Sequence, residues 1–222
     1  MSEPHNHGGA AEHGHAQTVF QEDERPSFEA ELLELAVREL LIEKGIVSAD
    51  EIRQAIEAMD TRGEALGAKI IARAWVDPAF KAKLLESGDE AVRAFGVDMR
   101  PTELCVVEDT DEVHNMVVCT LCSCYPRPIL GIPPAWYKRK DYRSRSVREP
   151  RSVLAEFGTY PAEHKDVRVH DSNADLRYLV LPQRPAGTDG WNEEQLARLV
   201  TRDSMIGVAP VRDPRALTDA AE

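Results

Sequence analysis

The feature that most restricts this chain is the run Val118-Cys119-Thr120-Leu121-Cys122-Ser123-Cys124-Tyr125-Pro126, a C-x-x-C-x-C spacing closed by proline. It holds three of the four cysteines; the fourth is Cys105. A disulfide framework would spread its cysteines along the chain, whereas thiols this close form a soft ligand set for metal or redox chemistry. Met116, Val117 and Val118 run apolar straight into Cys119, and Pro126, Pro128, Pro133 and Pro134 follow. Proline lacks a ladder donor and fixes φ. The pattern predicts cysteines on a loop after a strand, with a rigid exit.

Several chemistries fit these residues. An all-cysteine zinc site would recruit Cys105 as fourth ligand, although the tight Cys122-Ser123-Cys124 pair is unlike the usual paired knuckles. An iron–sulfur cluster also wants four thiolates, more widely spread. A redox dithiol leaves the third cysteine idle. A fourth reading starts from the single residue between Cys122 and Cys124. If both sulfurs grip one ion, the backbone between them is drawn against it. The amide nitrogens of Ser123 and Cys124 then lie within ligand distance. A deprotonated amide is a strong-field donor, suited to a trivalent low-spin ion rather than to zinc.

The rest of the chain supplies the frame. Its 222 residues are 42% hydrophobic and 30% charged, as in ordinary soluble domains, with a formal charge of −12 that argues against a nucleic-acid coat protein. No apolar run is long enough to span a membrane and no secretory signal is visible, so cytoplasmic residence is expected. Residues 1–26, with His5, His7, His13 and His15, read as a disordered His-rich tail able to bind metal loosely. From Ser27 to residue 95 the apolar residues recur at helical spacing. Helices are expected from Phe28 to Gly45, after Ser48, over Glu64–Trp75, and from Asp77-Pro78, with core and partner packing as the plain reading of their stripes. Residues 96–215 read as an α/β domain. Strands are expected near Glu103–Asp109, Met116–Val118, Val167–Val169, Leu176–Leu181 and Met205–Val208. Asp171-Ser172-Asn173 supplies the turn between the third and fourth strands. A helix is expected over Asn192–Thr201, with Asn192 and Gln195 at capping-box spacing. Residues 216–222 read as a disordered tail. Residues 138–151 carry seven basic residues against Asp141 and Glu149, an island suited to a partner's acidic face or to an anionic centre.

The run VCTLCSCYP, followed in order by ILGIPPAWYK, YRSRSVREPR, VLPQRPAGTDGW and VTRDSMIG, resembles the alpha subunits of nitrile hydratases. The same family includes the metal-bearing gamma subunit of thiocyanate hydrolase. The resemblance implies a helical N-terminal arm that wraps a partner, and a layered α-β-β-α (α+β) domain carrying the metal. It implies a claw made of the sulfurs of Cys119, Cys122 and Cys124 and the amides of Ser123 and Cys124. Cys119 would stay a thiolate, while Cys122 would become sulfinate and Cys124 sulfenate. Thr120 marks the cobalt form, so one low-spin Co(III) per chain is expected. The implied partners are a beta subunit or two smaller beta-like subunits, a small nitrile or thiocyanate, and, as a further candidate, a metallochaperone. Nucleic acid and membrane are not expected partners. The implied reaction hydrates a nitrile to its amide, with catalytic roles for Cys122, Cys124 and Arg127.

Arg127 departs from the nitrile hydratase pattern, which normally has Trp three residues after the last cysteine. The thiocyanate hydrolase pattern has Arg there, and a cation suits an anionic substrate. The Gln common some twenty residues before the cluster is also missing. VREPR and VLPQRPAG, in contrast, look like ordinary nitrile hydratase versions. The readings kept are a cobalt nitrile hydratase alpha subunit, with a polar nitrile as candidate substrate; a thiocyanate hydrolase gamma subunit; and a non-catalytic zinc-binding subunit. Cys105 is expected in the core and His114 as a structural hydrogen-bonding residue. Tyr125 and Trp136 are expected at a pocket wall or interface. Arg143, Arg145 and Arg148 are expected near the partner or the cluster.

Overall fold

The computed structural model describes residues 27–60 and 62–218. The expected tail at 1–26 lies outside the described residues, as do 219–222 of the tail expected at 216–222; residues 216–218 belong instead to a short last helix. Three of the early helices, α1, α2 and α4, start where a short polar side chain caps them. The Ser27 hydroxyl accepts from the Ala30 amide at 3.3 Å at the start of α1 (Phe28–Glu43). Ser48 and Glu51 close reciprocally ahead of α2 (Ala49–Asp60). Asp77 accepts from the Ala79 and Phe80 amides and Pro78 occupies the first turn of α4 (Pro78–Glu86), directly after α3 (Glu64–Val76). A short α5 (Gly88–Val92) leads into the body.

The body contains four strands: β1 (Glu103–Glu108), β2 (Val113–Val118), β3 (Asp166–Asp171) and β4 (Leu176–Leu181). They form two parallel pairs, β1 with β4 and β2 with β3. The Asn173 side chain does make the expected turn, accepting from Asp175 and Leu176 at 2.9 and 3.0 Å. The strands on either side of it nonetheless join different sheets. Between β2 and β3 run four short helices, α6 (Arg127–Leu130), α7 (Ala135–Lys138), α8 (Lys140–Ser146) and α9 (Pro150–Glu156). The prolines in this stretch exclude ladders yet start helical turns, where their missing N–H costs nothing. After β4 come α10 (Glu193–Ala197), α11 (Arg202–Ile206) and α12 (Arg215–Thr218).

Helices flank both pairs. α4 and α5 pack on β1, α9 on β3, and α11 on β2 and β4, while α3 lies against α6, α10 and α11. The core draws on both sides of residue 96: Ile70, Ile71 and Leu84 join Met116, Val118, Leu179 and Leu181 in one cluster. The result is the helical arm and layered α/β body expected from the resemblance.

Two local expectations are corrected. Met205–Val208 is not a strand: Met205 and Ile206 end α11, and Gly207 closes it in the left-handed region at φ 82°. A short apolar run fits a buried helix as well as a strand. The helix expected to reach Thr201 ends at Ala197, although its Asn192–Gln195 capping box is present. Thr201 instead caps α11.

Candidate metal centre

The strand β2 delivers the cysteines. Val118 is the last residue of β2, and Cys119 opens the loop fully buried. The chain then turns back on itself, so the Cys122 amide donates to Cys119 Sγ at 3.2 Å. The Cys119 and Cys122 sulfurs lie 3.5 Å apart, and those of Cys122 and Cys124 3.3 Å apart. All three fall within 4.8 Å of one another, with Cys119 buried, Cys124 half-buried and Cys122 exposed. The thiol of Cys124 and the Ser123 amide, followed by the Cys119 thiol, hydrogen-bond to Cys122 and bring its pKa down to about 7. Burial, reinforced by the same bond from the other side, pushes the Cys124 thiol up to about 12. The Cys124 amide also acts on the Cys122 sulfur. The backbone amides of Ser123 and Cys124 thus both stabilise the ionised Cys122 sulfur.

This donor set suits a thiophilic ion held by sulfur and amide nitrogen. It does not extend to Cys105. That residue sits on β1 opposite Tyr178, half-exposed rather than in the core, and outside the sulfur group. Among the described residues, no fourth histidine, cysteine or carboxylate joins the three sulfurs. The four-thiolate zinc site is thus not built.

The loop is clamped from outside. Tyr137 of α7 donates to the Cys124 carbonyl at 2.8 Å, and Tyr142 of α8 to the Val117 carbonyl at 2.7 Å. Asp171, the last residue of β3, accepts from both the amide and hydroxyl of Thr120 at 2.8 and 2.5 Å. Arg143 reaches the Thr120 carbonyl at 3.4 Å. Arg145 turns away to Glu149 and Glu156, and Arg148 to the Ser144 carbonyl. Of the three arginines in the basic island expected at the cluster or the partner, Arg143 reaches the loop.

A cleft of about 410 Å³ opens beside the sulfurs. It is lined by Cys122, Ser123, Cys124, Tyr125 and Arg127 from the loop and its exit, by Met99–Thr102 from the segment before β1, and by Arg177 of β4. Arg127 is exposed and makes no ion pair among the described residues. The Arg177 charge acts on the Cys124 thiol and favours its ionised form.

The comparisons with known proteins agree with this geometry. The family model described as nitrile hydratase, alpha chain, matches residues 28–209. The chain belongs to the nitrile hydratase alpha-chain family. It is 55% identical over 181 residues to the low-molecular-weight cobalt-containing nitrile hydratase subunit alpha of Rhodococcus rhodochrous, covering 81% of this chain and 87% of that one. It is 49% identical over 191 residues to the thiocyanate hydrolase subunit gamma of Thiobacillus thioparus, covering 81% and 79%. Its fold superposes on an iron-type nitrile hydratase from Comamonas testosteroni with a TM-score of 0.80 at 40% identity, over 86% of this chain and 94% of that one.

Within this nitrile hydratase alpha-chain frame, the structure gathers Cys119, Cys122, Ser123, Cys124 and Arg127 at one place. Tyr125, 3% exposed, lines the cleft as well as the core. Trp136 is a core residue instead, edge-on to Tyr142 and Phe157 at 4.9 and 4.8 Å. His114 is structural as expected, with Nε2 bonding the Gly207 carbonyl at 2.8 Å. Sequence reasoning missed Arg100, Arg177, Tyr137 and Asp171. The available hint was the Met99–Thr102 segment, which lies about where the family's Gln was sought.

Proposed function

We propose that this chain is the metal-bearing alpha subunit of a cobalt nitrile hydratase, hydrating a nitrile to its amide in a cytoplasmic complex with a beta partner. The observation that carries the reading is the convergence of three sulfurs within 4.8 Å on a loop clamped by Tyr137 and Asp171. Cys119, Cys122 and Cys124 would hold the ion through sulfur, and Ser123 and Cys124 through their amides. Thr120 and the cobalt-containing relatives favour cobalt. When bound, the ion supplies Lewis-acid polarisation of the carbon–nitrogen triple bond.

The chain's own residues do the positioning. Tyr137 and Tyr142 fix the carbonyls on either side of the loop, so the sulfurs keep their spacing when thiol protons leave. Asp171 holds Thr120 and with it the turn between the first two cysteines. Arg127 places a permanent positive charge at the cleft wall, where it meets a substrate's acceptor atoms. The exposed apolar face of α1 and α2, including Leu33 at 66% and Ile56 at 49%, gives a beta partner its seat. No described helix is long and apolar enough to cross a membrane.

The test is co-production with a beta subunit, or with two smaller beta-like subunits, in cobalt-supplemented cells. Elemental analysis should find one cobalt per alpha chain, and the complex should hydrate acrylonitrile. A full complement of zinc in an active complex would overturn the assignment. The second reading, thiocyanate hydrolysis, is favoured by one observation, the Arg127 guanidinium on the cleft wall. Assay with thiocyanate beside acrylonitrile separates the two.

A further inference from the structure

The cleft beside the sulfurs carries three arginines and no carboxylate in its lining, in a chain whose formal charge is −12. The three come from separate elements: Arg100 from the segment before β1, Arg127 from the first turn of α6, and Arg177 from β4. Their charges are only partly answered. Asp98 engages the Nε and Nη2 edge of Arg100, at 3.0 and 2.6 Å, and leaves Nη1 open. Arg177 donates to the carbonyls of Asn173 and Leu176, which are neutral. Arg127 has no side-chain partner among the described residues. We infer that Arg100, Arg127 and Arg177 form a rim that selects nitriles bearing a carboxylate, holding that group while the nitrile end meets the sulfur centre. This inference rests on the nitrile hydratase reading above.

Size separates this substrate class from a bare small anion. The cleft measures about 410 Å³. A three-heavy-atom anion fills roughly a quarter of it, at about 30 Å³ per water-sized group. With one end at the sulfurs it has no second charged group to offer the rim. A cyano acid with two or three carbons between its ends fills more of the cleft and brings the second polar end. The guanidinium fork matches a carboxylate in a planar, two-bond arrangement, which gives direction as well as attraction. The chemistry is unchanged at the far end. Water adds across the triple bond, its oxygen to carbon and two hydrogens to nitrogen, giving the amide, and the carboxylate leaves as it entered.

The test uses the cobalt-loaded complex of the full chain with its partner. kcat/KM is measured for 3-cyanopropanoate, for its neutral isostere 3-cyanopropanamide, for acrylonitrile and for thiocyanate. The acid should exceed the amide about tenfold at low salt, and the ratio should fall about threefold in 0.5 M salt, because screening weakens exposed charge pairs. Arg100→Gln and Arg127→Gln should each lower the acid-to-amide ratio about threefold, read beside cobalt content and melting midpoint. The salt series needs no substitution, so a variant that fails to fold does not decide the matter. A complex that hydrates acrylonitrile and the amide at least as fast as the acid overturns the inference and leaves the nitrile hydratase reading standing. So does a ratio unmoved by both substitutions, which would make the arginines counter-charges to the sulfur centre only. Turnover of thiocyanate with none of the nitriles overturns both.

Discussion

Asp171 holds the cysteine loop although it contributes nothing to the sulfur cluster. Its carboxylate takes both polar groups of Thr120, and Asp171→Ala would leave the Thr120 amide without its bond. Loss of such a bond costs about 1–3 kcal/mol when the orphaned group stays away from water. The expected outcome is a lower urea midpoint for the chain and faster cobalt loss to a chelator from the complex. Unchanged metal retention would show that the loop holds its shape without this anchor. A second polar chain runs behind the loop. His170 Nε2 donates to Asn115 Oδ1 at 2.8 Å, and Asn115 donates through Nδ2 to Asp109 at 3.0 Å and to the Glu108 carbonyl at 2.8 Å. Burial first, and the Arg168 charge second, depress the His170 pKa below its usual value. The unfolded chain therefore takes up this proton before the folded one. The stability that the neutral ring contributes is fully present above about pH 6.5 and is lost as pH falls from there through the depressed pKa. Denaturation midpoints of the unmodified chain and of His170→Gln between pH 8 and 5 should diverge, the variant showing the shallower acid loss. Parallel curves would exclude His170 as the source. The burial that pushes Asp109 up acts in the opposite sense, which is why the comparison needs the variant.

At the scale of elements, the close approach of α11 to β2 sets the architecture. Gly207 closes α11 with φ 82°, and a Cβ there would strike the Asn115 carbonyl. Its own carbonyl takes the His114 ring. Gly207→Ala would meet both a disfavoured backbone region and a backbone atom that cannot move aside. The expected result is a chain that is largely insoluble or melts far below the parent; a melting point within two degrees would mean that α11 can slide. The same junction shows what was legible in the sequence. Ser27, Ser48 and Asp77-Pro78 announce their helices because a cap is a local event among three or four residues. The cysteine spacing is local too, and the loop after β2 falls where it is expected. Met205–Val208 gave no local discrimination, and the Thr201–Ser204 cap that turns it into a helix lacks the Glu or Gln of a usual capping box. The pairing of β3 and β4 was hidden for a different reason. Asn173 makes a good turn whichever sheet follows, and only tertiary packing sends Leu176 onward to Glu103. Arg100 and Arg177 were illegible as site residues because nothing in spacing connects either to Cys124.

Taken as one body, the chain is unevenly finished. α1 contains no buried residue, and Phe28, Leu33 and Leu40 are 75%, 66% and 48% exposed. Apolar surface of this extent marks an interface rather than a monomer's exterior. Phe28→Asp with Leu33→Asp should leave the free chain's unfolding free energy within about 0.5 kcal/mol, since neither side chain supports the body. Light scattering of co-produced subunits should then show separated chains; an intact complex would place the partner's seat elsewhere. The anchoring of Thr120 by a residue 51 positions away also has a consequence in time. During synthesis the three cysteines leave the ribosome before Asp171 exists. At 5–20 residues per second that interval is roughly 3–10 s. For those seconds the loop can be held by Tyr137 and Tyr142 but lacks its Asp171 anchor. The turn between the first two cysteines is therefore complete only once β3 has formed.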